Sequence, residues 1–175
     1  VIRVCFHGAE STGKSVMAAH LEARFGWPWV REYGRDYAEN HGTDFTMDDL
    51  LAIAQGQNAA QNAAMQAANK ANPPVLILDT DPLMTAAWAQ MLFGHAPDAL
   101  FAYPKADLYL LFAPDVPWVA DGTRFFGTPS SRAAFAATSQ AMLEKAGLPY
   151  VTIGGDWAER ESQVLSAILS QLQHQ

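Results

Sequence analysis

Cysteine and charge are both scarce in this chain. Cys5 is the single cysteine among 175 residues, so no intrachain disulfide can form and a disulfide-stapled extracellular scaffold is excluded. Only 17% of the residues are charged, and the basic sign is the scarcer: 11 Lys and Arg against 18 Asp and Glu, a formal net charge of −7. A surface of that sign is not built to neutralise the phosphates of DNA or RNA, so nucleic acid is not expected as a partner. No apolar run approaches the ~20 residues that span a bilayer, and Val1–Phe6 is too short for a signal-peptide core. A soluble, cytoplasmic protein with no membrane partner is expected. The histidines, His7, His20, His41, His95 and His174, are scattered without ligand spacing beside Cys5, which offers no structural zinc site.

What is present is apolar: 50% of the residues, enough over this length for one sizeable core and a single domain over 1–175. Short apolar or β-branched runs at 1–6, 29–31, 75–78, 108–112 and 150–153 read as strands, each followed by a helix candidate. Buried strands alternating with helices indicate a mostly parallel sheet covered on both faces. Thr128-Pro129 opens a helix that closes at Gly147, and Asp156 with Glu159 forms a capping box before Val164, Leu165, Ile168, Leu169 and Leu172 at helical spacing. Between Asp49 and Lys70 there is no charge, only a run rich in Ala, Gln and Asn. With Thr46 and Asp49 as a capping signature and Ala the best helix former, that run reads as a long helix rather than a linker.

Gly8-Ala9-Glu10-Ser11-Thr12-Gly13-Lys14-Ser15 matches G-x-x-x-x-G-K-[ST] at each fixed position and lies between a strand and a helix, as the motif requires. The glycines permit a tight turn whose N–H groups, with the helix N-terminus, surround anionic phosphates. Gly8, Glu10, Ser11, Thr12, Gly13, Lys14, Ser15 and Val16 are therefore the expected nucleotide-binding residues. Lys14 would serve the β and γ phosphates, and Ser15 would ligate Mg²⁺. Asp79, at the end of a buried strand, is the second candidate for the metal. Asp81 follows two residues later, with two readings of equal weight: a group near the acceptor hydroxyl or ribose, or the N-cap of a helix beginning at Pro82.

A phosphate loop alone does not separate kinases, GTPases and motor ATPases. The guanine-specifying N-K-x-D is missing; Asn69-Lys70-Ala71-Asn72 lacks the final Asp and precedes Asp79. A small-molecule kinase needs an acceptor pocket after the second strand and a basic lid after the fourth. Trp29-Val30-Arg31-Glu32-Tyr33-Gly34-Arg35-Asp36-Tyr37 suits the first: Glu32 can accept a proton or hydrogen bond from a sugar hydroxyl, and Trp27, Trp29, Tyr33, Tyr37 or Trp88 can stack on a base. The bland alternative makes these aromatics core and Arg35 a surface partner of Asp36 or Glu39. Asp121-Gly122-Thr123-Arg124-Phe125-Phe126-Gly127, with Arg132 on the next helix, suits the lid, placed at about 115–132.

The segments GAESTGKS, WVREYGRDY, LILDTD and DVPWVADGTRFFG followed by Arg132 together resemble the ribosylnicotinamide kinase domain of bacterial NadR-type proteins. The resemblance covers nearly the whole chain. It implies a P-loop kinase fold, α/β in three layers, with a parallel five-stranded sheet of order 2-3-1-4-5, helices on both faces and a lid. It further implies ATP-dependent phosphorylation of the 5′-hydroxyl of nicotinamide riboside to nicotinamide mononucleotide, with ATP and Mg²⁺ required. Lys14, Glu32, Asp81, Arg124 and Arg132 carry over as catalytic residues, Glu32, Tyr33, Asp81 and Trp88 as substrate-binding ones, and Ser15 and Asp79 as metal ligands. The resemblance does not extend to adenylyl transfer or repression. Against it stand a kinase for another nucleoside or small alcohol and a nucleotide sensor without catalysis. A homo-oligomer is compatible with the sequence, which does not fix the oligomeric state.

Overall fold

The computed structural model describes residues 1–174. Its first strand, β1 (Ile2–His7), runs into the phosphate loop and then α1 (Lys14–Phe25), which stops at Gly26 in a left-handed turn. There follow β2 (Trp29–Val30), α2 (Tyr33–His41), α3 (Met47–Ala68), β3 (Val75–Asp79) and α4 (Pro82–Phe93). A short 3-10 turn at Asp98–Phe101 leads to β4 (Leu108–Phe112), and an irregular stretch leads to α5 (Pro129–Lys145). The last elements are β5 (Val151–Ile153) and α6 (Trp157–Gln173).

The strands form one five-stranded sheet in the order β2-β3-β1-β4-β5, and each neighbouring pair is parallel. In β1, alternate residues face opposite layers, as the period of two demands. Val4 and Phe6 pack with Met17, Leu21, Val164 and Ile168 of α1 and α6, whereas Cys5 packs with Leu83 and Leu143 of α4 and α5. Each such side chain fully withdrawn from water contributes about 1.5–3 kcal/mol before ordering costs. The third apolar cluster joins α3, α4 and α5 through Leu50, Ile53, Met84, Phe135 and Met142, together with Ala54, Ala86, Ala87 and Ala89. These alanines let the helices approach closely.

The uncharged run is helix as expected, α3, opened by the Thr46–Asp49 capping box; the Asp156–Glu159 box likewise opens α6. Thr128 caps α5 by accepting from Ser131 N. Asp79 belongs to β3 itself, one residue beyond the expected run, in register with Phe6. The helix α2 has no counterpart in the sequence reading. Its residues are mostly polar and only Ala38 is buried, so apolar periodicity does not announce it. Among the described residues no helix is long and apolar enough to cross a membrane.

Candidate active site

A parallel sheet brings the C-terminal ends of its strands to one edge, and β1, β2, β3 and β4 all deliver functional side chains there. The loop after β1 is held in its turn by glycine. Gly8 has φ 126, and a Cβ on it would lie 2.7 Å from the carbonyl oxygen of Phe112 at the end of β4. Gly13, at φ 86, is the N-cap of α1 and leaves that helix end without a side-chain cap, open to an anion. Lys14 Nζ lies within the loop, donating to Gly8 O at 3.0 Å, Ala9 O at 2.7 Å and Thr12 Oγ1 at 3.3 Å. Burial lowers its pKa, opposed by Asp79, Glu32 and Glu10, and the ammonium faces a cleft lined by Glu10, Thr12, Ser15 and Glu32.

Ser15 Oγ donates to Asp79 Oδ2 at 2.5 Å, while Asp79 Oδ1 is buried without a hydrogen-bond partner among the described residues. A hydroxyl and a carboxylate side by side, one oxygen unspent, form a hard-oxygen donor set of the kind Mg²⁺ takes beside phosphates, so these two residues fit that ion. Burial raises the Asp79 pKa, and Lys14 and the Ser15 hydroxyl act against it.

Glu32 occupies the N-cap position of α2 without capping it, so its carboxyl is left to the cleft. Burial, reinforced by Asp79 and opposed by Lys14 and Arg35, pushes its pKa up to about 7. The acceptor side of the cleft continues through Ala38, Leu50, Ile53, Trp88 and Phe125. Trp88 is the only one of the proposed stacking aromatics among the lining residues; its ring lies 4.9 Å from Phe125, edge to face. Trp27 is 2% exposed and stacked on Phe25, Trp29 donates its indole N–H to Glu22, and Tyr37 stacks on His41 with its hydroxyl on Asp49. Tyr33 is half-exposed over Gly56 and does not line the cleft.

Asp81 also lies outside the lining. Its Oδ1 accepts from Leu83 N at 2.9 Å and its Oδ2 from the Tyr109 hydroxyl at 2.6 Å. Both oxygens are thus engaged inside the core at 2% exposure, and the helix cap is realised.

The segment between β4 and α5 is folded onto the phosphate loop. Glu10 accepts from the backbone N–H groups of Phe125 and Phe126, each at 3.1 Å to Oε2, and Ser11 Oγ accepts from Val119 N at 2.8 Å. Arg124 Nη1 reaches Ser11 Oγ at 3.4 Å and Arg132 Nη2 reaches Ser11 O at 3.1 Å. Both guanidinium groups stand over Trp118, 6.0 Å from its ring centre. Glu10 therefore turns its carboxyl to the segment between β4 and α5.

Other residues at the site carry no local sequence signal. Gln57 of α3 is buried and accepts from Tyr33 N at 2.7 Å, fixing the start of α2; Gln61 donates to Thr80 O at 3.3 Å, beneath a residue held at φ 75. Arg35 pairs with Asp121 of the lid at 2.7 Å, not with Asp36 or Glu39. Arg160 of α6 is 3% exposed and donates to Thr12 O, Gly155 O and Ala113 O, with Asp115 as its ionic partner. The uncharged spacing of Gln57 and Gln61, four residues apart on one helix face, is the one feature that pattern reading had available.

Three kinds of comparison bear on this arrangement. The trifunctional NAD biosynthesis/regulator protein NadR of Escherichia coli (strain K12) is 32% identical over 157 residues, which are 86% of this chain and 37% of that protein. The protein of the same name from Salmonella typhimurium matches to the same extent. This chain thus spans 37% of the length of the curated relatives it matches. Among solved structures, NadR protein in complex with NR superposes with a TM-score of 0.75 at 24% identity, over 97% of this chain and 49% of that one. Thymidylate kinase from Candida albicans superposes with a TM-score of 0.63 at 16% identity, over 99% of this chain and 93% of that one. These likenesses show the P-loop kinase fold, with its three layers and sheet order 2-3-1-4-5. A family model described as AAA domain matches residues 3–160, from β1 through the phosphate loop, the Asp79 strand and the lid into α6, and the chain belongs to that AAA domain family.

Proposed function

We propose that this chain transfers the γ-phosphoryl group of ATP to the 5′-hydroxyl of nicotinamide riboside, giving nicotinamide mononucleotide. The observation that carries the reading is the convergence, in one cleft, of the phosphate loop with the Ser15–Asp79 pair, an unengaged Glu32 carboxyl and an aromatic wall from Trp88 and Phe125. Support comes from the NadR relatives, which are NAD biosynthesis proteins, and from the likeness to a NadR structure in complex with NR.

Each residue then has a role set by its chemistry. The loop amides and the α1 N-terminus bind the phosphates, and Lys14 exchanges its loop carbonyls for phosphate oxygens. Ser15 and Asp79 would hold Mg²⁺, which when bound offsets phosphate charge. Glu32, with a pKa of about 7, orients the acceptor hydroxyl and holds its proton as the oxygen attacks. Arg124 and Arg132, held over the loop at Ser11, face the charge that spreads across the transferring group, and the docked lid excludes water. A nicotinamide riboside ring is cationic, and faces of Trp88 and Phe125 near the Glu32 carboxyl attract such a ring.

The test is ADP release over a panel of nucleosides that includes nicotinamide riboside and nicotinic acid riboside. Preferred turnover of nicotinamide riboside is the expected result. Preference for another nucleoside changes the substrate, and nucleotide binding without any acceptor-dependent turnover removes the kinase reading altogether.

A further inference from the structure

Asp121 lies in the lid, where one carboxylate oxygen forms ion pairs with two guanidinium groups that come from different parts of the site. Arg35 Nη1 of α2 is 2.7 Å from Oδ2, and Arg124 Nε of the lid is 3.2 Å from the same atom. The other oxygen accepts from the backbone N–H and the hydroxyl of Thr123, both at 3.0 Å. The carboxylate is therefore engaged on both oxygens. Partial burial pushes its pKa up, but the Thr123 donors, Arg35 and Arg124 outweigh that and hold it below the ordinary carboxylate range. Arg35 and Arg124 line the cleft, and side-chain exposures of 32% for Arg35, 22% for Asp121 and 20% for Arg124 leave the trio only partly open to water, where a charge pair is screened less than on an open surface.

Arg35 sits in the first turn of α2, the helix that starts beside Glu32, and both residues line the cleft with Arg124. Two guanidinium groups drawn to one oxygen repel each other once the carboxylate between them is neutralised. We infer that Asp121 is a positioning residue, which through the Arg35–Asp121–Arg124 bridge makes the placement of the lid arginine conditional on the acceptor-side helix. This inference rests on the kinase reading for its kinetic consequence. An acceptor seated at Glu32 adds a contact at the start of α2, which Gln57 already holds, and so favours this position of Arg35. Asp121 then brings Arg124 to the phosphate loop, where Nη1 meets Ser11 Oγ. The charge that favours transfer is assembled when an acceptor is in place, which restrains transfer to water.

The experiment compares the full chain with R35A, D121N and the R35A/D121N double variant, by steady-state kinetics and by trypsin cleavage after Arg124. In D121N, kcat with nicotinamide riboside is expected to fall about tenfold while KM for ATP changes less than about threefold. Adding R35A to D121N is expected to cost nothing more. A non-hydrolysable ATP analogue is expected to protect Arg124 from trypsin in the original chain and not in D121N. Losses that multiply in the double variant, or unchanged protection in D121N, overturn the inference. If D121N does not fold, R35A alone decides: it must lower acceptor-dependent turnover without lowering ATP hydrolysis in the absence of acceptor, and an equal fall in both overturns the bridge. The trypsin arm needs only the analogue. Asp121-dependent protection in a chain that phosphorylates no nucleoside keeps the bridge and removes the kinase reading, whereas unchanged nicotinamide riboside turnover in D121N does the reverse.

Discussion

A carboxyl group that ionises at about 7 in the folded chain and at 4.5 otherwise opposes folding at physiological pH, and Glu32 is such a group. The unfolded chain gives up the proton more readily, so the stability that protonated Glu32 allows is fully present below pH 4.5 and lost as pH rises through 7. Glu32→Gln should therefore leave stability unchanged near pH 4 and raise it by about 1–3 kcal/mol at pH 8, while turnover falls by on the order of 10²-fold or more. Urea unfolding at the two pH values checks the first part; an equal effect at both would mean that the carboxyl is not desolvated. Lys14→Ala should fold and, on the proposed function, lose most of its turnover, measured as ATP-dependent phosphorylation, because Lys14 lines the cleft and belongs to none of the apolar clusters. Asp81→Ala should do the opposite. It removes a helix cap and leaves the Tyr109 hydroxyl proton without its acceptor in the core, the oxygen keeping only the Ala106 N–H, a loss of about 2–4 kcal/mol in unfolding free energy. A KM for the nucleoside that rises without loss of stability would return Asp81 to the substrate.

At the scale of elements, the proposed function makes the segment between β4 and α5 the part that separates binding from turnover. Arg124→Ala and Arg132→Ala should each lower kcat by between about tenfold and 10³-fold and weaken a fluorescent ATP analogue far less, since their charge matters most when the transferring group is most anionic. Near-normal turnover in both would take the lid out of the chemistry. Elements also differ in how far sequence discloses them. The phosphate loop, the capping boxes at Thr46–Asp49 and Asp156–Glu159, and the apolar strands are local patterns, each complete within a few residues. The α2 helix is not. It is polar, and its start is fixed by Gln57, 24 residues later in the chain. Asp81 illustrates the same limit from the other side: the helix cap is legible in Asp81-Pro82, whereas the Tyr109 hydroxyl that its other oxygen accepts from lies 28 residues away. The partner of Arg35 likewise comes from far along the chain, Asp121, rather than from its neighbours Asp36 and Glu39, and local spacing carries no sign of that.

Over the whole molecule, the sheet edge is bound together by Arg160. Its guanidinium donates to the phosphate loop at Thr12 O, to the end of β4 at Ala113 O and to the β5–α6 turn at Gly155 O. Arg160→Ala should leave those carbonyls without their donor and cost about 3 kcal/mol or more in unfolding free energy, with ATP affinity falling alongside. A melting temperature unchanged from the original chain would show that water replaces the guanidinium. The bond from Arg160 to Thr12 spans 148 residues. β1, which leads into the phosphate loop, likewise sits between β3 and β4, both made later. On a ribosome, then, the glycine-rich turn emerges before the parts that hold it: a nascent chain that already contains the entire loop still lacks β3, β4 and the Arg160 bond until α6 has left the exit tunnel.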